Sequence, residues 1–196
     1  MNETVAAIAW AAGMVAWFLI RYPHRRRARK LKVSVDRRDR TDRMVLQAAA
    51  LGLSLFPAVH ALTGFPAFAD HLFQPWMGWL GIVVELAFLA VFYESHRQLG
   101  KNWSISLELR DQHRLVTSGL YRLVRHPMYT SFWLWAIAQA LLIPNWIAGF
   151  SGLAGVAALY FSRVGKEERL MEEAFGEEYR IYSARTGRVV PRLRRR

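Results

Sequence analysis

No cysteine occurs among the 196 residues, which excludes a disulfide, a thiolate nucleophile and any cysteine-based metal site, and leaves the redox compartment open. There is no G-x-G-x-x-G or Walker loop, no H-E-x-x-H and no G-x-S-x-G. The common phosphate cradles, the helical zinc pair and the nucleophile elbow are therefore set aside, and Gly165, Gly176 and Gly187 are too scattered to build a cradle. The six histidines include no i, i+4 pair; His113 and His126 can meet only through the fold, which is a weak basis for a metal site, and none is expected. Acidic residues are scarce, with 15 Asp and Glu against 27 Lys and Arg. No internal repeat or low-complexity linker divides the chain, so one domain over residues 1–196 is expected.

What is present is apolar and aromatic: 53% of the chain is hydrophobic, with eight Trp and eleven Phe. Long apolar runs alternate with arginine-rich blocks, the pattern of a polytopic all-α membrane protein. A soluble nucleic-acid binder of net charge +12 would not need several runs long enough to enter a bilayer, so membrane lipid rather than nucleic acid is the expected partner. Five helical segments follow: Thr4 to Ile20, Met44 to Leu62, Trp76 to Tyr93, Met128 to Ile143 and Trp146 to Ser162. Only Pro144 and Asn145 part the last two, which predicts a tight helical hairpin. From Arg163 the chain turns polar, and Leu170, Met171, Ala174, Phe175 and Tyr179 fall on one stripe of an amphipathic C-terminal helix.

The basic residues assign the sides. Residues 21–43, 94–125 and 163–196 hold eleven, six and ten Lys and Arg, which accounts for all 27, and the remaining connections hold none. By the positive-inside rule the N terminus lies outside and the three basic segments are cytoplasmic. The first apolar run precedes its positive charges, the reverse of a cleaved signal peptide, so it is read as a retained span. Residues 21–43 read as a linker near anionic head groups.

The stretch His113 to Ser131 carries polar residues between two apolar regions, and Pro127 marks a helix entry because its missing N–H has no partner in a first turn. This segment, the Leu99 to Ser104 segment before it, and Arg163 to Leu170 each adjoin the inner end of a span, so they can close one pocket. Each piece also has a plainer reading. Arg122 and Arg125 fit snorkelling anchors as well as ligand contacts. Glu167, Glu168, Glu172 and Glu173 fit a solvated helix face, and Arg163 with Glu167 fits a surface i, i+4 ion pair. Glu85 sits mid-span, where an ionisable group normally faces the bundle interior.

The chain resembles the isoprenylcysteine carboxyl methyltransferase family, and more distantly the membrane phospholipid N-methyltransferases. The resemblance rests on L-G-K-N-W-S at Leu99 to Ser104, H-R-L-V-T-S-G-L-Y at His113 to Tyr121, R-H-P-M-Y at Arg125 to Tyr129, the Glu167-Glu168-Arg169-Leu170 run, F-G-E-E-Y at Phe175 to Tyr179, and Val190-Pro191-Arg192. It covers the second half from Leu99 onward; before that the likeness is one of hydrophobicity alone. Ser131 stands where the family pattern usually has glycine.

The resemblance implies an enzyme that methylates the carboxylate of a prenylcysteine-type acceptor using S-adenosylmethionine, with residues 1–98 as supporting spans and 99–196 as the cofactor-binding and catalytic half. It further implies that His113, Arg114, Leu115, Val116, Tyr121, His126, Pro127, Met128, Tyr129 and Glu167 line the cofactor site. Arg163 would bind the substrate carboxylate and act with Glu167 in catalysis. Methylation of a phospholipid amine, and a non-catalytic lipid-binding role, are the alternatives. An activated methyl and an already ionised carboxylate need positioning more than a strong base, and arginine suits that task through paired N–H donors.

Overall fold

The computed structural model describes residues 1–28, 33–36, 39–100, 108–110 and 114–192. Helix α1 runs over Glu3–Ala28, well past the expected end at Ile20, because Arg25, Arg26 and Arg27 in its last turn complement the carbonyl end of the helix dipole rather than stop it. Strand β1 (Val33–Asp36) pairs antiparallel with β2 (Glu108–Arg110). The protein is therefore nearly all helical, with one short ladder that the all-α expectation omits. Both segments alternate apolar and polar residues, Val33-Ser34-Val35-Asp36 and Leu107-Glu108-Leu109-Arg110, a period-2 strand signal that a reading by long apolar runs passes over, and their separation in sequence hides the pairing.

Helix α2 (Arg40–Ala50) opens with a reciprocal cap: Asp39 Oδ1 accepts from the Asp42 N–H at 2.7 Å and Asp42 Oδ2 accepts from the Asp39 N–H at 3.2 Å. It passes through a wider π turn at Leu51–Leu55 into α3 (Phe56–Thr63), where Pro57 has no N–H for the preceding turn. Helix α4 (Pro75–Leu99) starts on a proline and closes at Gly100. A 3-10 turn at Gly119–Arg122 leads to α5 (Pro127–Leu142), α6 (Trp146–Phe175) and α7 (Glu177–Arg185).

Among the described residues four stretches are long and apolar enough to cross a bilayer: Glu3–Arg27, Arg40–Thr63, Pro75–Leu99 and Trp146–Phe175. The segment expected as the fourth of five spans is α5, which at 16 residues is about 24 Å long. On these stretches Ile8, Leu19, Leu62, Val83, Leu86 and Phe161 stand more than half exposed, an uncovered apolar surface that a bilayer would cover. The chain is a membrane protein.

Two sequence-based boundaries shift. Helix α6 does not end near Ser162; it continues unbroken to Phe175, because the change from apolar to polar at Arg163 alters its surroundings without removing a backbone hydrogen bond. The predicted amphipathic stripe is split at Gly176 (φ 53), leaving Tyr179 on α7 and the other four residues on α6.

Helix α4 lies against α5 and α1, while α6 lies against α5 and α2. Phe88, Phe92, Trp135, Ala136, Val156 and Leu53 form the central core, with Phe88 and Trp135 stacked at 4.9 Å. Where α6 crosses α2 and the π turn after it the residues are small: a Cβ on Gly155 would lie 2.8 Å from Ala49 Cα, and one on Gly52 would lie 2.3 Å from the Ser151 carbonyl oxygen. Close backbone approach of this kind drives helix association where lipid offers no hydrophobic contrast. Glu85 is buried against Gly13 of α1, where a Cβ would overlap its carboxyl group, and its Oε1 has no hydrogen-bond partner among the described residues.

The connections gather at two ends. At one end Asn145 accepts from the Ile147 and Ala148 N–H groups, at 3.0 and 2.8 Å, capping α6. Its amide also donates to the Pro66 carbonyl at 2.8 Å and to Asp70 at 2.7 Å. At the other end Lys166 of α6 donates to Asp39 at 2.8 Å and lies 3.4 Å from buried Asp42, tying the start of α2 to the polar half of α6.

Candidate active site

The polar half of α6 faces the entry to α5. Pro127 occupies the first turn of α5, and His126 before it leaves the helical conformation (φ −125, ψ 61), so its ring projects from the helix mouth. The backbone on either side is fixed by the tail: the Arg125 N–H donates to the Gly187 carbonyl at 2.8 Å, and the His126 N–H to the Arg188 carbonyl at 2.9 Å.

Three elements of the expected site meet at Glu167. The Tyr129 hydroxyl donates to Glu167 Oε1 at 2.8 Å, Arg163 Nη2 lies 3.4 Å from the same oxygen, and His126 Nδ1 lies 3.7 Å from Oε2. Arg163 is 3% exposed, so the reading of Arg163 and Glu167 as a surface ion pair is overturned. Burial is costly for a guanidinium, and Glu167 meets only part of its donor set: Nε has no hydrogen-bond partner among the described residues. A second anionic group would complete it. Tyr160, itself buried, closes this side with its ring edge-on to Tyr129 at 5.4 Å.

Tyr121, in the 3-10 turn, approaches from the other flank. Its carbonyl accepts from the Tyr182 hydroxyl at 2.6 Å, while its own buried hydroxyl has no hydrogen-bond partner among the described residues. Burial first, then Tyr182 and Glu167, holds its phenol well above the ordinary range, so it stays a neutral donor. The turn is secured by the Leu120 N–H donating to Gln98 Oε1 at 2.8 Å. Arg114 is exposed, and Leu115 and Val116 are half-buried, on the strand of chain entering this turn. His113, together with Lys101, Asn102, Trp103 and Ser104 of the second motif, lies outside the described residues.

Other expected positions have simpler surroundings. Met128 packs on the central core cluster. Ser131 is fully buried and turns its hydroxyl back onto the Met128 carbonyl at 2.6 Å. Among the described residues no group of three or more His, Asp or Glu is placed to hold a metal.

Sequence reasoning missed Glu168 and its partners. Read as part of a solvated face, it is instead half-buried between Arg125, at 2.8 Å, and Arg188, at 2.8 Å. Arg125 is neither a snorkelling anchor nor a free ligand contact, since it also donates to the Ser183 and Thr186 carbonyls. The doubled glutamate was the available signal; nothing local pointed to Arg188.

The arrangement pairs a buried, partly satisfied cation with an oriented carboxylate and two phenols. The Thr130 and Ser131 hydroxyls beside it donate to backbone carbonyls rather than to a side-chain base, and the arrangement suits orientation of an ionised acceptor. The sequence model described as the isoprenylcysteine carboxyl methyltransferase (ICMT) family matches residues 79–173. Over 146 residues the chain is 24% identical to protein-S-isoprenylcysteine O-methyltransferase B of Arabidopsis thaliana, covering 74% of this chain and 73% of that one. It is 32% identical over 157 residues to protein-S-isoprenylcysteine O-methyltransferase of Homo sapiens, covering 74% of this chain and 55% of the human one. A solved structure of the eukaryotic intramembrane Ras methyltransferase ICMT superposes with a TM-score of 0.53 at 23% identity, covering 77% of this chain and 50% of that one. The chain thus spans about half the length of the human relative and of the solved structure, and the latter likeness is one of fold.

Proposed function

We propose, on the premise that this chain belongs to the isoprenylcysteine carboxyl methyltransferase family, that it methylates the carboxylate of an isoprenylated cysteine at the site around Arg163 and Glu167. The observation that carries this reading is the buried Arg163 guanidinium, engaged with Glu167 on one side and with Nε unpaired among the described residues. A carboxylate supplies the missing acceptor, and the planar fork of arginine orients it through two N–H donors. An ammonium head group would meet the same guanidinium as a like charge, which weighs against a phospholipid amine as acceptor.

When bound, S-adenosylmethionine supplies a methyl group already activated on a sulfonium and leaves as S-adenosylhomocysteine, so the protein need provide neither a strong base nor a covalent nucleophile. The residues present fit it: Glu167 offers a carboxylate to amine or hydroxyl donors, and the Tyr121 hydroxyl is buried and unpartnered among the described residues. His126, Pro127 and Tyr129 at the mouth of α5, with Arg114, Leu115 and Val116 leading to the Tyr121 turn, would form the rest of its wall, joined by His113 and Met128. Glu167 would hold the donor on one side while Arg163 fixes the acceptor, so that catalysis rests on alignment and exclusion of water.

The basic segments support five crossings with the N terminus outside and this site at the cytoplasmic rim, α5 and α6 forming the last pair. A lipid-borne acceptor then meets a water-soluble donor at one boundary. The test is transfer of labelled methyl by the purified chain in nanodiscs, with a prenylcysteine analogue and phosphatidylethanolamine as rival acceptors. A base-labile methyl ester on the first is expected. Methylation of the second alone, or donor binding without transfer to either, refutes the assignment.

A further inference from the structure

We propose that Glu168 is a positioning residue for the methyl donor, acting through His126 and through the chain segment 183–189; the inference rests on the donor site assigned above. Successive glutamates of α6 face the two nitrogens of one imidazole: Glu167 Oε2 lies 3.7 Å from Nδ1, and Glu168 Oε1 lies 3.3 Å from Nε2. The ring is thereby held in one plane beside Tyr129, with ring centroids 5.8 Å apart. Glu167 belongs to the site directly. Glu168 lies behind it and reaches the site only through what it holds.

What it holds is unusual for one side chain. Oε1 accepts from Arg125 Nε at 3.0 Å and Nη2 at 2.8 Å, and Oε2 accepts from Arg188 Nη2 at 2.8 Å. The third nitrogen of Arg125 donates to the Ser183 carbonyl at 2.9 Å and to that of Thr186, which pins the end of α7. From there the chain runs along the mouth of α5. Gly187 and Arg188 take the backbone N–H groups of Arg125 and His126, and Val189 accepts from the Thr130 hydroxyl at 2.7 Å. Segment 183–189 is a strap across the helix entry.

The physical centre of this clasp is the Arg125 side chain, only 11% exposed. A buried guanidinium tolerates burial because a carboxylate and carbonyls take its donors; without the carboxylate its charge is uncompensated. Neutralising Glu168 therefore releases Arg125, the strap and the imidazole together. His126 and the first turn of α5 are the wall that the donor would use, so the effect should appear as lost donor affinity.

The experiment uses the full chain in nanodiscs, with Glu168→Gln and Glu168→Ala. S-adenosylmethionine affinity is measured by calorimetry, acceptor KM by methyl transfer, and hydrogen–deuterium exchange over residues 183–189. Each variant is expected to raise the donor Kd by about tenfold or more, speed exchange in the strap and leave acceptor KM within about twofold. Glutamine keeps the shape, so the test stands even if the alanine variant does not fold. Faster exchange with unchanged donor Kd makes Glu168 purely structural and overturns the proposal. A raised Kd with unchanged exchange also overturns it, because Glu168 would then contact the donor itself. Wild-type protein that binds no donor defeats the assigned function and this role together, and is distinct from failure of the inference alone, in which wild type and variants bind equally.

Discussion

Tyr129 and Glu167 meet at 2.8 Å across the α5–α6 interface, and Arg163 reaches the same carboxylate oxygen from one helical turn away. A phenol and a guanidinium thus converge on one atom in a buried setting. Tyr129→Phe removes the neutral donor alone. A hydrogen bond to a charged group contributes about 1.5–3 kcal/mol, so the variant should unfold at lower temperature and bind S-adenosylmethionine more weakly. Calorimetry and a thermal scan in the same detergent check both.

Arg163→Ala should raise acceptor KM or cut turnover while leaving donor affinity nearly intact, because its unpaired Nε is the group assigned to the acceptor carboxylate. Arg163→Lys should recover little, since an ammonium cannot place two coplanar donors. Loss of donor binding in parallel with activity would defeat the assignment.

Glu167→Ala should weaken donor binding. It also leaves the Arg163 guanidinium buried without its carboxylate, so a stability loss accompanies it, and Glu167→Gln separates the two effects by keeping an acceptor in place. Donor affinity unchanged in both variants reduces Glu167 to a structural partner of Arg163.

Two glycines on α6 should respond in opposite senses. Gly155→Ala places a methyl 2.8 Å from the Ala49 backbone and should cost about 1–3 kcal/mol by forcing α2 away. Gly165→Ala meets nothing within 4 Å and should be neutral or stabilising by about 0.5–1 kcal/mol. Thermal shifts of the pair under matched conditions provide the comparison.

Asn145→Ala should destabilise by about 1–2 kcal/mol from the lost cap alone. The added loss of its amide bonds to Pro66 and Asp70 makes the change larger than that of an ordinary cap variant. Asn145→Asp keeps the cap and sets a carboxylate against Asp70, so it too should unfold more easily than wild type.

Much of this was legible in one dimension. Apolar runs gave the helices, Pro127 gave the start of α5, and the resemblance named Tyr129, Arg163 and Glu167, which the fold brings together. Other parts had no local signature. Polarity changes at Arg163 and after Ile20 looked like helix ends, yet a helix stops where its hydrogen bonds stop: nothing interrupts α6 at Arg163, and α1 continues through Pro23 to Ala28. Glu168 looked like a surface residue because its partners, Arg125 and Arg188, are supplied by other elements. The β1–β2 ladder joins two distant segments whose short apolar–polar alternation is outweighed by the charged residues around it, and nothing local names the partner.

Helix α6 is a single shaft from its asparagine cap to Phe175, and Glu167 sits about 33 Å along it at 1.5 Å per residue. A rod without a joint cannot absorb a shift at one end, so under the proposed function its depth in the bilayer would fix the height at which Arg163 meets the acceptor. Lipids of shorter or longer acyl chain would raise or lower that level relative to the water boundary, turning membrane thickness into a dial on turnover.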